Sequence, residues 1–300
     1  MPKFDIVGRR KIWYALSLLI IIPGIACMII RGFNFGIDFT GGTIMEMRFE
    51  KPVAVAKVRE VMHKYDLDNS TIQLSGESSS ASEAKDVLIR TADLDEAKRN
   101  EVKASLKKDL GEYTMLRDEK VGATMGSELI MNALWATLIS WVLIVIYVSM
   151  RFEFKFGLAS VLALVHDVLI VLSAFTFFQK QLDSSFVAAL LTIVGYSIND
   201  TIVIFDRIRE NLRIHFRRGG DIVELANRSI YQTLTRSMYT VITSLFSVMA
   251  LYFFGGETTK DFSFALLVGF LSGCYSSIFI ASPLWVTMRN YSARKKAAAK

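Results

Sequence analysis

VAALLTIVGYSINDTIVIFDRIRE, residues 187–210, is apolar over a length that would cross a bilayer, yet Asn199 and Asp200 interrupt it. A carboxylate in hydrocarbon costs about 2.5–3.5 kcal/mol on insertion scales, so such a group marks a pathway, a relay or a buried pairing. Ala188, Thr192, Gly195 and Asn199 recur in this stretch at spacings of four, three and four. They form a small and polar stripe on one helix face, with Asp200 beside it and Ser197 nearby. A helix of this kind belongs in a bundle.

The rest of the chain supplies one. Of 300 residues, 52% are hydrophobic and 21% charged, with the charge concentrated in residues 46–120. The mean hydropathy is +0.36. This balance excludes an ordinary soluble domain and excludes membrane helices alone, and points to a membrane protein with one water-soluble insert. The six stretches of spanning length are about 12–30, 129–150, 156–178, 186–205, 237–254 and 262–288. The first follows Lys3, Arg9, Arg10 and Lys11 but is too long for a signal peptide and lacks a small-residue cleavage site, so it reads as an uncleaved span.

Orientation follows from Lys and Arg. The N-terminus, loop 151–155, segment 206–236 and the tail from Arg289 hold eighteen, against two (Lys180 and Lys260) in the alternate loops. Both termini are therefore expected on the cytoplasmic side and the insert outside. The net charge of +6 reflects this bias and does not require nucleic acid. The only cysteines, Cys27 and Cys274, each lie in a hydrophobic run and suggest neither a disulfide framework nor a metal site.

The insert alternates and repeats in its own way. TIMEMRFE (43–50) reads as a strand, VAVAKVREVMHKYD (53–66) as a helix, and NSTIQLS (69–75) and KDVLIRTA (85–92) as strands parted by a flexible GESSSAS (76–82). LDEAKRNEVKASLKKDL (94–110) follows as a helix and EYTMLRDEKVG (112–122) as a strand. The order β-α-β-β-α-β indicates an α+β ferredoxin-like domain, a fold that by itself names no activity. The expected organisation is thus an N-terminus and first span over 1–31, an outer domain over 32–125, a five-span bundle over 126–288 and a tail over 289–300.

Chemistry is sparse in the insert, where His63 reads as part of a solvated helix face. The membrane portion is richer. ALVHDVLIV places His166 and Asp167 midway along the third span. Arg236 opens the fifth, with Thr240, Ser244 and Ser247 along one face, and Gly269, Gly273 and Ser277 permit close approach in the sixth. Asp200 and Arg236 are expected at similar depth, which is the minimum machinery for proton-coupled switching; a structural ion pair, or an arginine that snorkels to the interface, is the alternative. Segment 219–236 has the spacing of an amphipathic helix lying along the inner surface before the chain turns upward. No phosphate-binding GxxxxGK[ST] loop, His-Glu-x-x-His or Gly-x-Ser-x-Gly is present.

Several longer motifs, in order, resemble one family. FNFGIDFTGGTIMEMRF (33–49), VGATMGSEL (121–129), LVHDVLIV (164–171), GYSINDTIVIFDRIREN (195–211) and TLTRSMYTVITSL (233–245) are similar to stretches of the SecD/SecF family of protein-export membrane proteins, within the resistance-nodulation-division superfamily. The resemblance covers nearly the whole chain. It implies one six-span half whose other half is SecD, working beside the SecYEG channel and the ATPase SecA, with YajC and YidC as further partners, in the bacterial inner membrane. It implies use of the proton-motive force to draw unfolded polypeptide outward late in export, without a cofactor and without enzymatic activity. Proton coupling is then assigned to Asp200 and Arg236, and to Asn199, His166 and Asp167. Gly36, Asp38, Gly41 and Gly42 become a structural motif at the junction of membrane and domain. Competing expectations are one half of a proton-coupled small-molecule or lipid exporter, a non-transporting scaffold of the export complex, and, least of all, an intramembrane protease.

Overall fold

The computed structural model describes residues 4–68, 70–80, 83–215, 221–255 and 257–298. Parts of the sequence expectations lie outside these residues: 1–3 of the N-terminus, Asn69 of the second strand, 81–82 of the flexible stretch, 219–220 of the amphipathic segment and 299–300 of the tail.

α1 (Arg10–Arg31) is the first span and ends at Gly32, whose φ of 68° only glycine adopts freely. A short α2 (Ile37–Thr40) precedes the outer domain: β1 (Gly42–Ala54), α3 (Val55–His63), β2 (Thr71–Ser80), β3 (Glu83–Thr91), α4 (Glu96–Leu110) and β4 (Tyr113–Val121). The sheet order is β2-β3-β1-β4, antiparallel throughout, with Met45 opposite Ile89 and Phe49 opposite Tyr113. Its register follows from burial. Met45, Met47 and Phe49 alternate inward and meet Val58, Val61 and Met62 of α3 and Val102 and Leu106 of α4. Asp95 caps α4 by accepting from the Lys98 amide at 2.8 Å. Arg48 on β1 donates to both carboxylate oxygens of Asp86 on β3, at 2.7 and 2.8 Å, and this bidentate contact holds the Asp86 carboxyl below the usual carboxylate range. This is the ferredoxin-like βαββαβ arrangement. The stretch expected to be flexible is strand as far as Ser80, with Ser78 opposite Ala84 and Ser80 opposite Glu83 in an irregular register.

The remaining chain is helical: α5 (Ala123–Arg151), α6 (Phe154–Phe177), α7 (Ser184–His215), α8 (Ile222–Phe254), α9 (Glu257–Ser276), a π-helical turn (Ser277–Ala281) and α10 (Ser282–Ala298). With α9, the turn and α10 taken as one path, the described residues contain six spans of sufficient length and apolarity to cross a membrane. α6 lies at the centre, half buried, whereas α5 turns Leu134, Leu138, Val142 and Ile146 outward as an exposed apolar side. At the end where both termini lie, Phe156 stacks on the fully buried Trp285 and meets Phe205 edge-on. At the end near the sheet, Phe175, Phe186, Ile193 and Phe270 form a second cluster.

Two helices differ from their expectation. Segment 219–236 does not lie flat and turn; from Ile222 onward it is the first half of one unbroken helix reaching Phe254. No Gly or Pro interrupts 222–254. Its apolar side, Ile222, Leu225, Ala226 and Ile230, packs on Ile6, Val7 and Ile208 rather than on a membrane surface. Asn227 fixes that contact by accepting from the Ile6 and Val7 amides at 3.0 Å each. The sixth span is interrupted by the π turn, a rare geometry that no apolar pattern announces.

Candidate functional site

Asp200 lies sixteen residues into α7, at the contact with α8. It is buried, and one carboxylate oxygen accepts from the Ser237 hydroxyl at 2.5 Å. The other, Oδ2, has no hydrogen-bond partner among the described residues. A buried oxygen without a donor is costly for a carboxylate and is relieved by protonation or by an added cation. Arg236 is next to Ser237 in sequence, so the expected similarity of depth holds. Yet Arg236 points to the exposed face, and among the described residues the ion pairs do not include Asp200 with Arg236. The Ser237 hydroxyl is the group that reaches the carboxylate, while the charge of Arg236 acts on it without a direct contact. One turn earlier on α7, the Tyr196 hydroxyl reaches the Thr240 carbonyl at 3.0 Å and the Ser244 hydroxyl at 3.1 Å.

A second carboxylate is handled in the opposite way. Asp167, 1% exposed at the centre of the bundle, accepts from Ser272 at 2.6 Å, Ser197 at 2.7 Å and Ser276 at 2.8 Å. His166 Nδ1 lies 3.1 Å from the same carboxylate, and its Nε2 lies 2.9 Å from the Ser17 hydroxyl. α1, α6, α7 and α9 are thereby joined through one polar cluster, with Tyr275 stacked on the imidazole at 5.9 Å. Close approach makes this possible. A Cβ on Gly273 would sit 2.9 Å from that of Ser197, and one on Gly269 2.3 Å from Ile193. Ser272 and Ser276 are spaced by four, as are Gly269 and Gly273, and this was the signal available in the sequence; Ser17 and Ser237 had none.

Asn199 does not join either group. It is exposed, as are Ala188, Thr192 and Gly195 of the same stripe, and as are Arg236, Thr240, Thr243 and Ser247 along α8. The threonines donate back to the carbonyls four residues earlier, so the face is small and quiet rather than oily. Among the described residues nothing covers it.

The glycine-rich motif clasps the start of α7. Phe35 pairs with Leu182 as a parallel bridge, with the Gly36 amide 2.6 Å from the Leu182 carbonyl and the Leu182 amide 2.8 Å from that of Asn34. Asp38 Oδ2 accepts from the Ser184 amide at 3.0 Å and its hydroxyl at 2.6 Å. Asp183 completes the cap by accepting from the Phe186 amide at 3.0 Å, and Arg90 of β3 lies 3.8 Å from its other oxygen. Gly41, at φ 75°, turns the chain from α2 into β1. The outer domain is therefore fastened to the helix that carries Asp200. Among the described residues no group of three or more His, Cys, Asp and Glu is placed to hold a metal ion.

Comparison with known proteins agrees with this architecture. Residues 101–291 match the family model described as protein export membrane protein SecD/SecF, C-terminal, and residues 28–53 match the SecD/SecF GG motif. A protein named protein translocase subunit SecF from Acidaminococcus fermentans is 48% identical over 96% of this chain and 98% of its own length. A protein of the same name from Haemophilus influenzae is 39% identical over 93% of this chain and 84% of its own. The crystal structure of SecDF from Thermus thermophilus, described as a translocon-associated membrane protein, superposes with a TM-score of 0.79 at 38% identity over 96% of this chain. A SecDF crystal structure in a super-membrane-facing form superposes with a TM-score of 0.77 at 37% identity. The chain spans 39% and 40% of those two SecDF chains. With six spans, the glycine-rich clasp and both family matches in place, this multi-pass membrane protein belongs to the SecD/SecF family of protein-export membrane proteins.

Proposed function

We propose that the chain is one six-span half of a proton-driven export motor, with SecD supplying the other half, and that Asp200 is the carboxylate whose protonation drives it. The observation that carries this reading is the divided state of Asp200: one oxygen held by Ser237 across the α7–α8 contact, the other without a donor among the described residues. The exposed face of small residues beside it gives SecD a surface of matching kind, since small residues let helix backbones approach closely in a membrane. The more than twofold length of the SecDF chains supports the same pairing.

In this scheme protonation of Asp200 removes the charge that holds the Ser237 hydroxyl and attracts Arg236, and α7 shifts against α8. From Ser184 to Asp200 the helix runs unbroken for about 24 Å at 1.5 Å per residue, so a shift at its middle is felt at its capped end. There Asp38, Asp183 and Arg90 pass it to the sheet domain. Each charge crossing the membrane is worth about 2.3 kcal/mol per 100 mV, so a few protons suffice to bias a domain that keeps exported polypeptide from sliding back. Asp167, with its full set of donors, anchors the bundle in which this happens. The excess of Lys and Arg at the end carrying the termini supports a cytoplasmic location for that end and a periplasmic sheet domain, in the bacterial inner membrane. SecYEG, SecA, YajC and YidC are the partners this role calls for.

Inner-membrane vesicles containing SecD, with and without this chain, test the reading through export of a secreted protein before and after a protonophore. A protonophore-sensitive component that appears only with the chain supports it. Equal export in all four conditions overturns it.

A further inference from the structure

At the end of the bundle opposite the sheet, α5, α6, α7 and α10 line an open cavity of about 340 Å³ whose charged lining is Arg151, Arg209, Arg213, Arg289 and Glu153. We propose that this cavity binds the phosphodiester headgroup of an anionic phospholipid.

Four guanidinium groups share the space with one carboxylate. Like charges gathered in this way repel, and a phosphate both relieves the repulsion and matches the planar donor fork of arginine. The lining is partly set in advance. Arg209 donates to the Arg151 carbonyl at 2.8 Å and to Asp206 at 2.6 Å, with its guanidinium 4.7 Å from the Phe152 ring. Arg289 lies over Trp285, 5.4 Å from the ring centre, and 4.0 Å from Glu153. Arg213 stands one turn beyond Arg209 on α7 and is exposed. Asp206 and Glu153 offset two of the four charges, and among the described residues no ion pair engages Arg151 or Arg213. The N-terminus of α6 opens at Glu153, which makes no side-chain cap, so first-turn amides add to the field.

The surroundings point to a lipid rather than to free phosphate. Phe152, Phe156 and Leu212 form the apolar wall of the cavity. Beside it Met150 of α5, and Phe154, Leu158 and Leu162 at spacings of four on α6, are exposed. That strip leads from the headgroup level toward the bilayer core, where acyl chains lie. Basic pockets between membrane helices bind anionic headgroups on the side facing the cytoplasm.

The full chain, purified in a maltoside detergent, is titrated with phosphatidylglycerol, with phosphatidylcholine and with inorganic phosphate. Lipid retention is read by native mass spectrometry and Tm by intrinsic fluorescence. Phosphatidylglycerol is expected to be retained and to raise Tm, and Arg213→Gln to weaken its binding about tenfold, the value of one charge-assisted contact. Arg209→Gln is expected to do more; because Arg209 also holds the end of α5, Arg213→Gln remains decisive if that variant does not fold. Equal retention of the two lipids, unchanged binding in Arg213→Gln, or an equal rise in Tm with inorganic phosphate alone overturns the proposal, the last by reassigning the cavity to a free anion.

Discussion

The carboxylate of Asp38 sits at the N-terminus of the helix that carries Asp200, where it accepts from both the amide and the hydroxyl of Ser184. The first amides of a helix have no partner within it, and here a residue distant in sequence supplies one. The motif before the sheet domain is thus part of the cap of a membrane helix. Asp38→Ala is expected to destabilise this end by about 1–2 kcal/mol, the cost of a lost cap. Hydrogen exchange in the first turn of α7 reads it directly, and Asp38→Asn, which keeps an acceptor, should remain near the parent value.

Asp167 makes a stronger prediction. Asp167→Ala leaves the hydroxyls of Ser197, Ser272 and Ser276 without their shared acceptor in a buried site. A loss on the order of 3 kcal/mol is expected from stranding such donors. Thermal unfolding in detergent should show it as a large drop in Tm. Asp200→Ala, by contrast, removes an acceptor for Ser237 alone and should cost much less.

Gly126 near the start of α5 faces the backbone of the glycine-rich motif, and an added Cβ would lie 2.0 Å from the Phe39 carbonyl oxygen. No rotamer change relieves a clash with a main chain. Gly126→Ala should therefore displace α2 and loosen the clasp at Leu182, giving faster proteolysis between the first span and the sheet while leaving the sheet core intact.

Acid sensitivity of the outer domain follows from Asp86. Its carboxyl is held below the ordinary value by Arg48, so the contact contributes stability at pH above the unfolded carboxylate value of about 3.9. That contribution is lost as pH falls through the lower folded value. Asp86→Asn should lower Tm at pH 7, and the gap to the parent should close on titration toward pH 2. A gap that stays constant with pH would remove the ion pair from the account.

Much of this architecture is legible in the sequence because length and period carry it. Six apolar runs and the alternation of Met45, Met47 and Phe49 specify spans and a strand without reference to tertiary contacts. The polar interior is not legible in the same way. Whether Ser237 or Arg236 meets Asp200 depends on a rotation of α8 by one residue, about 100°, which the apolar pattern of a lipid-embedded helix does not fix. The union of Asp167 with three serines depends on two helices meeting at Gly273, and the sequence shows the small residues but not their partner. The unbroken course of α8 was hidden because the pattern of an amphipathic surface helix is also that of a helix packed on the N-terminal segment.

Export of a secreted protein by inner-membrane vesicles carrying Asp200→Asn, with co-purification of SecD followed in the same preparation, tests the central claim most directly. The account predicts that SecD remains bound while the protonophore-sensitive part of export disappears, and that Asp200→Glu retains some of it. Undiminished proton-dependent export by Asp200→Asn, with SecD bound, would contradict it and leave Asp200 a packing residue.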